Sequence, residues 1–256
     1  MDKNIQTNTR FLEFLSIEIE KVNKTWEPFW TKFLDPILFE LAKENISKLD
    51  GVYSIDNGGW PNAERKRIKI IKKELLDLQI SKENHFCGLN IIGNFLFDKV
   101  KIQEFRGFLE NFGIEASDIG DIWLKGDRGA QGIITPESGI YLNQREGRIR
   151  DIKISLECIA INEIQAPYTR APKRIVTVEA SKRIDAIASA GFGVSRAKLV
   201  KSIKNAQVKL NWITVNQPNK EIKTGDCIYL EGKGNIKILD IALTKRERWK
   251  IQLLRN

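Results

Sequence analysis

The sequence has few of the residues that build disulfide frameworks, metal sites or membrane spans. Its 256 residues include one histidine, His85, one methionine and three cysteines. Cys87, Cys158 and Cys227 lie far apart and are odd in number, which is typical of a reducing compartment and indicates neither a disulfide framework nor a zinc site. No apolar run approaches the roughly 18 residues of a membrane helix. The first thirty residues carry acids throughout and lack the apolar block of a signal peptide. We therefore expect a cytoplasmic protein without membrane insertion, bound metal or other cofactor.

The remaining composition is that of an ordinary folded protein. Hydrophobic residues make up 42% and charged residues 29% of the chain, which provides enough apolar side chains for real cores. At roughly 150 residues per domain, this length predicts two or three small domains.

The positive charge of the protein is concentrated in the last third of the chain. Residues 1–175 carry 26 basic and 26 acidic side chains, whereas residues 176–256 carry 16 basic and 7 acidic ones. This last part therefore holds the whole net charge of +9. A basic module of this kind favours a polyanionic partner, namely RNA, DNA or an acidic membrane surface. A solvated basic surface without a partner is the alternative.

Two prolines mark a boundary just before the charge changes. Pro167 and Pro172 each lack an amide donor and restrict the preceding residue to extended geometry, which predicts a linker. Helical and alternating patterns before the linker predict an α+β protein. Its expected parts are an N-terminal α+β domain (residues 1–74), a middle α/β domain similar to the RNA-recognition fold, or RRM (75–165), the linker (166–175) and a basic C-terminal domain (176–256).

Several elements of the first two domains can be predicted from local patterns. Apolar spacing predicts a helix over residues 11–22, and Asp35 followed by Pro36 predicts the start of a second helix. Leu76, Leu78 and Ile80 alternate as in a strand. Further patterns predict a helix over residues 100–112, a hairpin of residues 122–124 and 132–134, a short helix near residue 136 and a strand over residues 152–161.

The most informative stretch is residues 183–205, which predicts two short helices joined by a glycine turn. Ser195 is the expected N-cap of the second helix. At 100° per residue, one face of that helix carries the apolar side chains and the adjacent face carries lysines. The expected core positions are Leu199, Val200, Ile203 and Ala206. The expected basic face is formed by Lys198, Lys201 and Lys204.

The same stretch resembles the S4-type RNA-binding domain. The resemblance rests on four short segments in order, namely residues 183–185 (RID), 195–198 (SRAK), 208–211 (VKLN) and 224–228 (TGDCI). The rest of the chain resembles the YlmH family at residues 58–67, 119–122 and 129–131. Residues 178–181 and 244–248 are similar to its cyanobacterial and plastid branch, which carries the label photosystem II S4 domain protein. The resemblance implies a three-part architecture and RNA binding. For bacterial relatives it implies association with the large ribosomal subunit in the rescue of stalled translation.

Two positions depart from the family pattern. Residues 102–104 read Ile-Gln-Glu where family members often have His-Arg-Asp, which puts in doubt any role of the middle domain that relies on that triplet. Gln207 stands where many S4 domains carry glycine, a local difference in a turn.

The candidate RNA-binding residues are basic or polar side chains of the C-terminal domain. They are Arg183, Ser195, Arg196, Lys198, Lys201 and Lys204, with Lys209, Asn211, Arg246 and Arg248 as weaker candidates. Arg65, Lys66 and Arg67 form a possible second RNA patch. The alternative interpretation is a solvated face in which Arg183 pairs locally with Asp185.

We find no sequence pattern that indicates an enzyme. The single histidine has no cysteine partner at a catalytic spacing, and the glycines at 191 and 193 lack the third glycine of a dinucleotide fingerprint. We expect a monomeric binding protein whose partner is structured RNA, either rRNA or tRNA, and the ribosome. In a plastid-bearing lineage the expected location is the stroma. The alternatives are a photosystem-linked assembly factor and an RNA-modifying enzyme.

Overall fold

The computed structural model describes residues 3–76, 85–167 and 172–255. The chain forms two compact units, Met1–Pro167 and Tyr168–Asn256, here called the N-terminal unit and the C-terminal unit. Each has its own buried apolar clusters. Helices and antiparallel sheets occur in both units, which confirms the expected α+β class. Across the described residues, no helix has the length and the apolar character required to cross a membrane.

The bounds of the helices and strands are as follows. The helices of the described chain are α1 (Lys3–Thr25), α2 (Pro36–Ser47), α3 (Ile102–Asn111), α4 (Pro136–Leu142), α5 (Ile184–Phe192) and α6 (Arg196–Lys204). The strands are β1 (Phe29–Trp30), β2 (Val52–Asn57), β3 (Arg67–Lys72), β4 (Cys87–Gly93), β5 (Ile119–Leu124), β6 (Gly129–Ile134), β7 (Glu146–Ile149), β8 (Ile152–Ile159), β9 (Lys173–Glu179), β10 (Val208–Leu210), β11 (Ile213–Thr214), β12 (Cys227–Leu230), β13 (Gly234–Leu243) and β14 (Trp249–Arg255).

The first part of the N-terminal unit is a three-stranded antiparallel sheet covered by α1 and α2. Its strand order is β1-β3-β2, and Ile68 and Ile70 of the central strand pack against Leu15 and Ile19 of α1. The predicted start of α2 is confirmed, because the Asp35 carboxylate accepts hydrogen bonds from the first free amides of the helix. The first helix is longer than predicted, since apolar spacing marks only the part of a helix that packs on a core.

The second part of the N-terminal unit has the predicted RRM-like topology. Its elements follow the chain order β-α-β-β-α-β, with β7 as an added edge strand, and the sheet order is β5-β6-β4-β8-β7. Phe105 and Leu109 of α3 cover one face of this sheet. The predicted hairpin, the helix near Pro136 and the strand from Ile152 are confirmed. Of the predicted strand near residues 76–80, Leu76 follows a short 3-10 turn and the rest lies outside the described residues.

The opposite face of the RRM-like sheet is covered by other residues of the N-terminal unit. Trp123 and Ile133 project from it into a cluster with Phe33, and Trp60 packs against the same cluster. Gln131, which is buried on this sheet, donates to Asn90 and accepts a hydrogen bond from the Gln165 amide. In RNA-recognition folds the exposed sheet carries the stacking aromatics. Here that surface is an internal packing face.

The C-terminal unit is a six-stranded antiparallel sheet with α5 and α6 packed on it. The strand order is β11-β10-β12-β13-β14-β9, and one apolar cluster joins both helices to the sheet. The strand β9 begins at Lys173, inside the segment assigned above to the linker, because residues 173–179 pair with β14 from Arg255 back to Trp249. The segments of the S4 resemblance at residues 208–211 and 224–228 contribute the short strands β10 and β12. The division of the chain at residue 74 stays a prediction.

Candidate nucleic-acid interface

The helix α6 presents lysines to solvent from a rigid scaffold. Ser195 caps it as predicted, since its hydroxyl accepts a hydrogen bond from the Lys198 amide. Gly193 ends α5 in the left-handed region at a φ of +65°, which makes the turn between the two helices. Leu199 and Ile203 are fully buried in the apolar cluster, and the three lysines on the adjacent face are exposed. They are Lys198, Lys201 and Lys204.

One predicted core position of this helix is wrong. Ala206 is exposed and has a φ of +58°, because α6 ends at Lys204 and the chain turns there. Its amide donates to the Ile203 carbonyl and so closes the last turn of the helix. Beyond the end of a helix, the 100° spacing no longer predicts which face a residue occupies.

Asp185 holds Arg183 and Arg196 in one cluster. Each guanidinium donates twice to the carboxylate, with Nε at 3.0 Å in both cases and Nη2 at 3.0 Å for Arg183 and 3.2 Å for Arg196. The Asp185 side chain is 3% exposed, whereas the two arginine side chains are 41% and 54% exposed. Arg183 therefore pairs locally with Asp185, as the alternative interpretation expects, and Arg196 pairs with the same carboxylate. Two cations on one carboxylate leave a net charge of +1, and each guanidinium retains three N–H groups for an anion.

The electrostatics of this cluster favour its charged form. Burial opposes ionisation of Asp185, but the two arginines more than offset it, so the pKa of Asp185 lies below its ordinary value. The hydrogen bond and charge of Asp185 in turn raise the pKa of Arg196. The arginines are thereby fixed in place before any ligand arrives, which lowers the entropic cost of binding a phosphate.

We expect Asp185→Asn to reduce the stability of the C-terminal unit at neutral pH and to weaken its response to acid. Because the folded-state pKa of Asp185 is depressed, its contribution is present above the ordinary aspartate pKa of about 3.9 and is lost as the pH falls through the folded value. Urea unfolding of parent and variant between about pH 7 and pH 3 measures the difference in their free energies of unfolding. The contributions of the other carboxylates are the same in both proteins and cancel in this difference. An identical pH dependence in the two proteins would show that the cluster contributes nothing to folding.

The hairpin of β10 and β11 holds the next two candidates. The Asn211 side chain accepts from the Cys227 amide and donates to Asp226, and its φ is +49°, so it has a structural part in the turn. Lys209 lies opposite Tyr229 on the neighbouring strand, with Nζ 5.8 Å from the ring centroid. Tyr229 in turn contacts Trp212, with 5.5 Å between the rings. This aromatic pair is not among the site residues predicted from the sequence. The sequence signal for this pair is weak, because Trp212 and Tyr229 lie in separate segments and Tyr229 is simply an aromatic residue within the short strand β12.

Arg246 and Arg248 lie in a different place, the turn that joins β13 to β14. There the Thr244 amide donates to the Arg248 carbonyl, and the Arg248 amide donates to the Thr244 hydroxyl. Both arginines are exposed.

The three basic residues of the expected second patch do not share one surface. Arg65 donates from Nε to the Ile119 carbonyl, and Lys66 pairs with Asp56 at 2.9 Å. Arg67 is 8% exposed, donates to the Thr31 and His85 carbonyls, and lies over the rings of Trp30, Phe33 and Phe86. Burial lowers the pKa of Arg67. Arg67 is thus a buried structural residue, because β3 is buried on both faces: Ile68 and Ile70 face α1, and other residues cover the opposite face that carries Arg67.

Asp121 holds the segment of residues 58–67 in place through hydrogen bonds to its carboxylate. The Asp121 carboxylate accepts from Trp60 Nε1 at 2.9 Å and from the amides of Glu64 and Arg65 at 2.8 and 3.0 Å. At the adjacent Gly120, a Cβ atom would lie 2.8 Å from the Phe33 ring. Residues 58–67 and 119–122, two of the segments that carry the YlmH resemblance, are therefore in direct contact within the N-terminal unit. We call this contact the joint at Asp121.

Comparisons with known proteins find matches to two family models, one curated protein and one solved structure. Residues 3–75 match the family model described as "YlmH, N-terminal", and residues 182–228 match the S4 domain. The chain is 25% identical over 227 residues to the "Ribosome-associated protein quality control protein P2" of Bacillus subtilis, covering 88% of this chain and 86% of that protein. It is also similar to the solved structure titled "Cell division protein ylmH from Streptococcus pneumoniae", at 22% identity and a TM-score of 0.49, covering 61% of this chain and 93% of that one.

Proposed function

Because the chain belongs to the YlmH family of S4-domain proteins, we propose that it binds structured RNA of the ribosome through its C-terminal unit. The observation that carries the proposal is the exposed lysine face of α6, which lies next in sequence to Arg196 of the Asp185 cluster. Lysines supply mobile point charges, and the held arginines supply planar forks that match phosphate geometry. Residues 176–256 of this unit also hold the whole net charge of +9.

The finer proposal is that the RNA is rRNA or tRNA on the large ribosomal subunit and that the protein acts when translation stalls. The name of the Bacillus subtilis relative, which describes a ribosome-associated quality control protein, supports the ribosomal part. The family resemblance supports the role in rescue. Such a role places the protein in the compartment that contains the ribosomes, which is the cytoplasm or the plastid stroma.

We further propose that the protein binds without catalysing a reaction. The acids that stand out by their contacts have structural partners: Asp185 holds two arginines, and Asp121 holds the turn at Trp60. A carboxylate engaged in this way is not poised as a general base.

The fragment of residues 168–256 should retain most of the RNA affinity of the full chain. It contains the lysine face, the Asp185 cluster and the complete sheet, including β9, so it keeps its own apolar core. A fluorescence-anisotropy titration against rRNA fragments, with the fragment of residues 1–167 as the counterpart, measures the distribution. Equal affinity of residues 1–167 and the whole chain would overturn the proposal.

A further inference from the structure

The N-terminal unit has an apolar cavity at one end of the RRM-like sheet. Its volume is about 370 Å³, at the lower end of the range of small-ligand sites. Phe95 and Phe105 form part of its lining, with their rings 5.2 Å apart in an edge-to-face arrangement. Leu96 and Leu124 also line it, and each is about half exposed. The cavity is therefore apolar and open to solvent.

Two loops build this cavity and are fixed to each other. The loop after β4 contributes Phe95, whose amide donates to the Asp127 carbonyl in the turn between β5 and β6 at 2.8 Å. Phe97 follows Leu96 in the first loop, and its side chain is 94% exposed. A phenylalanine held in water forgoes the stabilisation that burial would bring. Since its loop is anchored by a backbone hydrogen bond, the ring is displayed next to the cavity by a structured element.

The charges around the cavity indicate what would occupy it. Four basic residues lie in or next to the lining segments, namely Lys99, Lys101, Lys125 and Arg128. Asp127 is the one acid among the lining residues. The nearby acids Asp98 and Glu104 both pair with Arg150, which offsets one of their two negative charges.

We propose that this cavity and Phe97 bind an unstacked nucleobase, with the neighbouring cations on its phosphates, as a second RNA contact distinct from the C-terminal unit. Single-stranded RNA is held by aromatic rings that stack on bases and by cations that follow the backbone. The centre of a protein–protein interface is instead depleted of lysine. The proposal rests on the proposed RNA-binding function and adds a site and a ligand class to it.

The test uses the full-length protein and two probes. One is an rRNA-derived hairpin, and the other is the same hairpin with a uridine-rich single-stranded tail that contains 4-thiouridine. The parent should bind the tailed probe about tenfold more tightly, as expected for stacking a base on an aromatic side chain. Photocrosslinks from the tail should map to residues 94–100. The part of the gain that comes from stacking should persist at high salt, because stacking releases no counterions, whereas the part that comes from the cations should fall.

Variants at matched exposed positions make the test specific. Phe97→Ala should lose the gain from the tail and keep both the melting temperature and the affinity for the hairpin alone. Phe97→Tyr should retain the gain. Ile140→Ala, at a side chain 83% exposed on α4, is the control and should behave as the parent.

Three results would overturn the proposal. The tail could add nothing although the hairpin binds, or Ile140→Ala could lose as much as Phe97→Ala. A photocrosslinker at position 97 could also capture a ribosomal protein instead of RNA in cells. In the first two cases the affinity for the hairpin alone still supports RNA binding by the C-terminal unit. Failure to bind either probe would instead remove the proposed function.

Discussion

We expect Lys201→Glu combined with Lys204→Glu to lower the affinity for RNA roughly 25- to 60-fold at about 0.1 M salt. The estimate follows from counterion release, in which log affinity falls by about 0.7–0.9 per phosphate contact for each tenfold increase in salt. Each lost contact then removes roughly five- to eightfold at that salt concentration. Both side chains are exposed, so the melting temperature should change little.

The salt dependence separates a lost contact from a general loss of charge. The double variant should reduce the slope of log affinity against log salt by about 1.4–1.8. Lys21→Glu with Lys24→Glu is the matched control, because it makes the same charge change at the same spacing on exposed positions of α1. If the α6 variant folds normally and binds as the parent does across the salt series, α6 is not the binding surface.

Leu199→Ala should have the opposite effects, a large loss of stability and little change in the intrinsic RNA contacts. Leu199 is fully buried among residues of both helices and the sheet, and its truncation leaves a cavity in the only large cluster found in the described part of the C-terminal unit. Such truncations cost about 2–5 kcal/mol. Urea unfolding of the fragment of residues 168–256 measures the loss.

The neighbouring residue provides the control for Leu199. Lys198→Ala, at an exposed position one residue away, should change the free energy of unfolding by less than about 0.5 kcal/mol and should weaken RNA binding. A stability loss that is equal in the two variants would mean that burial does not distinguish these adjacent positions.

Local patterns were sufficient for the helices that present the candidate site. The Ser195 cap, the glycine turn and the separation of Leu199 and Ile203 from the lysines all depend on residues within a few positions of one another. The same holds for the Asp35 cap of α2. At Ala206 the helical spacing predicted a core position and was wrong, because α6 ends at Lys204 and Ala206 has a positive φ.

Side chains whose partners are distant in the chain could not be assigned in this way. Arg67 reads as one member of a basic run, yet three aromatic rings and two carbonyls enclose it. Cys87 and Cys158 read as isolated thiols, yet both lie against Gly139, where a Cβ atom would be 2.6 Å and 3.2 Å from their sulfurs. The joint at Asp121 and the cavity at Phe95 likewise connect segments that are separate in the sequence.

The sequence by itself determined where the charge lies, which segment is the basic module and which face of α6 carries the lysines, because composition and helical period are local properties. Only the tertiary structure decided which basic residues remain available to a phosphate. It buries Arg67 in the N-terminal unit and fixes Arg183 and Arg196 on Asp185, while the α6 lysines stay exposed. The physical reason is that burial and ion pairing depend on which distant segments pack together, and residue type alone does not encode them.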